Sequence, residues 1–177
     1  MISIVLLALG LAAQTSAECT RAALEAASAA YIKAQTAGQP SLLTLSANIT
    51  YIENDKSVPL AQGVLSKALA ATFSRSIHDT VQCATFTEFA SAASSNPYVI
   101  HTHMLLSGPD ANLTVTTIDS VVTTTGDWAF DAAAFAKYAA AETGWGPIPA
   151  DSPLRTSRDN IKAAADAYLD RTSHFPS

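Results

Sequence analysis

Two long β-branched stretches, Tyr98 to Ser107 and Leu113 to Thr125, constrain the fold of this chain more than any other feature. Both are rich in residues that suit a pleated, half-buried surface. Asn96-Pro97 precedes the first, Gly108-Pro109-Asp110 separates the two, and Gly126-Asp127 ends the second. Gly and Pro at those points set turns, so the two stretches are expected to pair as an antiparallel hairpin. Thr80 to Phe89, dense in Thr, Val and Phe, reads as a further strand, and Ile49 to Glu53 as a short one before an Asn54–Ser57 turn.

Helices flank these strands. Leu24, Ala27, Tyr31 and Ala34 fall on one face of a helix that Thr20 can cap and that Gly38 and Pro40 end. A short helical turn is expected at Ser41 to Leu45. Leu65, Leu69 and Phe73 suggest a second amphipathic helix. Asp131 can cap a helix through Ala141 that carries Phe135 and Tyr138. After a loop with Gly144, Gly146, Pro147, Pro149 and Pro153, Ser157 can cap a last helix. There Ile161, Ala164, Ala165, Tyr168 and Leu169 follow the helical repeat. The order suits an α+β fold, a curved antiparallel sheet packed on helices. It resembles the cone-shaped NTF2-like (SnoaL-like) fold, whose sheet and long helix enclose a small-molecule pocket. A generic α+β sandwich is the alternative.

The chain has 177 residues, 49% of them hydrophobic and 14% charged, and a formal net charge of −5. That excludes a disordered chain and argues against a nucleic-acid partner. Part of the hydrophobicity is local. Ile2 to Ala13 is an apolar run followed by Gln14-Thr15-Ser16-Ala17, the layout of a signal peptide cleaved after Ala17, although no Lys or Arg lies near Met1. The run is too short to span a membrane, and no membrane anchor is expected. The reading is therefore a signal peptide at 1–17, one α+β domain at 18–171 and a frayed tail at 172–177. The cysteines, Cys19 and Cys83, suggest one disulfide in an oxidising compartment, with two buried thiols as the alternative. Asn48-Ile-Thr50 and Asn112-Leu-Thr114 are N-glycosylation sequons.

Several segments occur together in a known family. They are Tyr51-Ile-Glu53-Asn54, Gly63-Val-Leu-Ser-Lys-Ala-Leu69, Cys83-Ala-Thr85-Phe86-Thr-Glu88, Pro97-Tyr-Val-Ile100, Thr123-Thr-Thr-Gly126-Asp127-Trp128 and Ala163-Ala-Ala-Asp-Ala-Tyr168-Leu169-Asp170. With them the chain resembles a family of secreted fungal proteins that carry a domain of unknown function. The resemblance covers most of the chain beyond Ala17. It implies compartment and fold, and no chemistry. Longer members continue with a second part, so the chain is expected to be a one-unit member or a truncated version.

Candidate chemistry is sparse. His101 and His103 share a strand face with Val99 and Leu105. They could act in acid–base catalysis, or bind a metal if Glu88, Glu53 or Asp119 gave a third ligand. Glu88 lies among Ala84 and Phe86, a setting that can raise a carboxyl pKa. Tyr51 and Glu53 share a face and could bind a carbonyl or move a proton. Trp128 and Tyr98 are candidate pocket aromatics, although Trp128 also suits a packing lid. His78 and Asp79 open a strand and point to opposite faces. Arg155 and Arg158 suit surface ion pairs with Asp151 or Asp159. No motif for a phosphate, a dinucleotide, a Zn ion or a serine nucleophile is present, and no cofactor is expected. The expectation is a domain that binds a small apolar ligand. A cofactor-free lyase, isomerase or cyclase and an extracellular interaction protein are the alternatives.

Overall fold

The computed structural model describes residues 19–172 except residue 94. The expected signal peptide and residues 173–177 lie outside the described residues. The chain divides into two units, 1–142 and 143–177.

In the first unit, helix α1 spans Arg21–Ala37. Thr20 accepts from Ala23 N through its hydroxyl, so the capping expectation holds. Gly38 ends the helix at φ 64°, and a Cβ there would lie 2.5 Å from Ala68 N. Leu24, Ser28, Tyr31, Ala34 and Gln35 form its buried face. Full burial of a side chain such as Leu24 is worth about 1.5–3 kcal/mol.

The strands are β1 (Leu45–Glu53), β2 (Lys56–Ser57), β3 (Phe73–Asp79), β4 (Ala84–Ser91), β5 (Tyr98–Ser107) and β6 (Thr114–Thr124). They form one curved six-stranded sheet in the order β2-β1-β6-β5-β4-β3. β5 and β6 pair antiparallel as the hairpin reading expects. β1 departs from an all-antiparallel sheet, because it pairs parallel with β6. No hairpin turn joins those two strands, so none imposes an antiparallel direction on them.

Alternation along β5 sorts its side chains. Ile100, Thr102, Met104 and Leu106 are buried on the α1 side. Val99, His101, His103 and Leu105 face the other way. Helix α2, Ala132–Ala141 with Asp131 as its cap, covers part of that outer face, where Ala132 and Ala136 pack with Ala90 and Val99.

The expected second helix is absent. Short 3₁₀ turns stand at Leu60–Gln62 and Val64–Ser66, and Phe73 begins β3. Pro59 and Gly63 interrupt the segment, and its helix-like spacing comes from Leu65 and Leu69, buried in different clusters. The expected strand from Thr80 is also corrected. β3 ends at Asp79, whose Oδ1 accepts from Val81 N and Gln82 N and so folds a turn, and β4 starts at Ala84.

In the second unit, α3 spans Arg158–Thr172. Ser157 caps it, accepting from Asn160 N at 3.1 Å. Thr172, placed in the tail by the sequence reading, is its last residue. On its apolar stripe, Ile161, Tyr168 and Leu169 are all exposed.

Candidate functional site

The inner face of the sheet carries a row of four hydroxyls and one carboxylate. Ser76, Thr87, Thr102, Ser120 and Glu53 stand side by side across β3, β4, β5, β6 and β1. Ser76 and Thr87 share a hydrogen bond of 2.8 Å, as do Thr102 and Ser120. Tyr31 reaches down from α1 to Thr102 at 2.6 Å. Burial holds the Tyr31 and Tyr51 phenols neutral, far above their ordinary pKa, and the hydrogen bond to Glu53 adds to the effect at Tyr51.

Tyr51 and Glu53 do meet, as their period-2 spacing suggested. Tyr51 OH donates to Glu53 Oε1, and Val64 N donates to the same oxygen. Leu65 N donates to Tyr51 OH at 3.2 Å. Gln35 holds the same loop, donating to Val64 O and Lys67 O. The pair thus ties the 59–69 segment against the sheet. Tyr31, Leu65, Phe89, Ile100, Met104 and Ile118, all fully buried, occupy the space between α1 and the sheet. The pair therefore latches a loop against the sheet.

His101 and Glu88 meet on the opposite face, so the candidate residues fall into two groups. Glu88 is the direct cross-strand neighbour of His101 in β5 and of Arg75 in β3. Arg75 binds Glu88 Oε2 through Nε at 2.7 Å and Nη2 at 2.5 Å. His101 Nε2 is 3.8 Å from Glu88 Oε1. Phe86 stacks on the His101 ring at 5.9 Å, and Phe135 of α2 meets it edge-on at 5.5 Å. Burial lowers the His101 pKa, and Glu88 opposes that shift. A neutral imidazole with one partly exposed edge could accept a proton. His103 is exposed on the same face, and no group of three His, Cys, Asp or Glu able to hold a metal ion occurs among the described residues.

The remaining candidates lie apart. Trp128 is 97% exposed in the turn after β6, so it acts as no packing lid. Tyr98 accepts a hydrogen bond from Lys67 Nζ at 3.1 Å. His78 and Asp79 end β3 rather than open a strand; His78 points inward to Ser28 Oγ at 2.9 Å, while Asp79 also serves the turn. Cys19 and Cys83 form a disulfide. Asn48 and Asn112 are both exposed.

An apolar groove of about 190 Å³ opens between α1 and the ends of β5 and β6. Ala23, Ala26, Ala27 and Ala30 form its helix wall, and Leu43, Leu106, Leu113 and Val115 are among the residues opposite. Alanine at i, i+3, i+4 and i+7 keeps that wall low, so the groove stays open where larger side chains would close it. Asp110 stands at its edge and accepts from Thr20 N at 3.0 Å. The sequence reading missed this wall and Arg75. The alanine repeat was a readable signal, whereas Arg75 had none of its own.

No family model matches the chain, and no curated protein does. Its structure is similar to that of an NTF2-like protein of unknown function from Shewanella baltica. The two share 14% identity over 58% of this chain and 92% of that one, with a TM-score of 0.39.

Proposed function

We propose that this chain is a secreted, N-glycosylated domain that binds a small apolar ligand in the groove between α1 and the sheet. The observation that carries this reading is the alanine wall of α1 facing Leu43, Leu106, Leu113 and Val115 across an open groove. A water-filled apolar groove gains free energy when apolar surface covers it. The resemblance to secreted fungal proteins, the disulfide and the exposed sequons at Asn48 and Asn112 support an extracellular setting. The element order, one long helix before a β-rich stretch, supports an NTF2-like architecture.

A cofactor-free lyase, isomerase or cyclase is the second reading. Its support is the approach of His101 to Glu88. The binding reading is preferred because Arg75 already engages Glu88 through two nitrogens.

Native mass spectrometry of the protein collected from a secreting host tests the proposal. The expected result is a bound small molecule on the wild type that Ala27→Phe loses, with glycan mass on Asn48 or Asn112 and Glu18 as the first residue. An equal ligand load on Ala27→Phe would overturn the groove as the site. So would an empty wild type whose groove amides ignore added hexan-1-ol in an NMR titration.

A further inference from the structure

The lining of the groove has a marked charge asymmetry. Its walls are alanine, leucine and valine, its polar members are Thr44 and Asp110, and Asp110 is the charged one. Among the described residues no Lys, Arg or His lines it. Asp110 sits in the 3₁₀ turn Asp110–Asn112, and its Oδ1 is fixed by the bond from Thr20 N. Among the described residues no other donor is seen on Asp110, so Oδ2 can accept from a ligand.

We infer that the groove selects a short amphiphile with a hydrogen-bond-donating head, an ammonium above all, and disfavours a carboxylate head. This rests on the groove being the ligand site. An ammonium at the mouth gains a charge-assisted hydrogen bond to Asp110. A carboxylate there meets a like charge, and no described residue lining the groove is a cation that would offset it. The positive end of α1 offers an anion little, because Asp110 already accepts from Thr20 N at that end. The groove's volume of about 190 Å³ sets how much of a tail it covers. At ~30 Å³ for a group the size of a water, it covers about six carbons.

The test is an amide NMR titration of the secreted ¹⁵N-labelled chain at pH 7 and low salt. The probes are hexylammonium, hexan-1-ol and hexanoate, which share one tail and differ in head charge. All three are expected to shift the amides of Ala23 to Ala30 and Leu113. Hexylammonium is expected to bind about fivefold to tenfold more tightly than hexanoate, with hexan-1-ol between them. Asp110→Asn keeps an oxygen for Thr20 N and removes the charge, so the ratio should fall towards one. High salt should shrink the ratio in the wild type by screening, which supplies a readout without mutation.

Equal affinities, or a preference for hexanoate, with the groove amides still responding would overturn the head-group inference and leave the groove standing. An undiminished ammonium preference in Asp110→Asn would also overturn it. Silence of the groove amides towards all three probes would sink the groove reading itself.

Discussion

Arg75 and Glu88 face each other directly across β3 and β4, and the guanidinium holds both the carboxylate and the end of α2. Arg75 Nη1 donates to Ala139 O at 3.4 Å and lies 2.9 Å from Glu142 Oε2. A cation at a helix C-terminus meets the negative end of the helix dipole. One side chain therefore pins α2 to the outer face of the sheet.

Arg75→Met is expected to cost about 1–3 kcal/mol, because it strands a partly buried Glu88 without its cation. Urea unfolding measures the cost. Hydrogen exchange locates it, since amides of Ala132–Ala141 should lose protection while those of α1 keep theirs. Uniform loss across both helices would refute the pinning role.

Acid should weaken the fold through two histidines. Burial lowers the pKa of both His78 and His101 from the ordinary 6.5. At His78, Glu25 opposes the shift and Arg21 adds to it, and at His101 Glu88 opposes it. The unfolded chain then binds protons at a higher pH than the folded one, so stability rises with pH across that window. Stability is expected to fall as pH drops below about 6.5, from these groups, and to level off once the folded histidines protonate. Melting temperatures from pH 7.5 to 5 check this, and the double variant His78→Gln with His101→Gln should flatten the slope. An unchanged slope in that variant would assign it to carboxylates instead.

Gly63→Ala is expected to destabilise the protein by about 1–3 kcal/mol. The added Cβ would run into the Tyr51 ring and Glu53 Oε1, both fixed by the loop they latch. Tyr51→Phe removes the hydroxyl that donates to Glu53 and leaves Leu65 N without its acceptor, at a cost of about 1–2 kcal/mol. If the clash and the latch are one feature, the double variant should cost less than the sum of the singles. Strict additivity in denaturant midpoints would separate them.

The parts of the fold that were legible in the sequence owe it to local chemistry. Helix α1 announced itself through Thr20, Gly38 and a repeat of buried residues, and β5 matched its expected span because Pro97 and Gly108 bracket it. The stretch from Leu65 to Phe73 misled because Leu65, Leu69 and Phe73 recur at helical spacing although they serve turns and a strand. The Tyr51–Glu53 contact was readable, since two residues apart on a strand means one face. The Arg75–Glu88–His101 row was not, because it depends on register among three strands, which turn lengths set. The groove needed both the alanine repeat of α1 and partners remote in sequence.

The Cys19–Cys83 bond has a practical consequence. The chain has two cysteines, so a monomer admits a single intramolecular pairing and no scrambled isomer. Refolding from the reduced state requires oxidation without reshuffling. Any disulfide-linked byproduct must be intermolecular, and dilution before oxidation should be enough to suppress it.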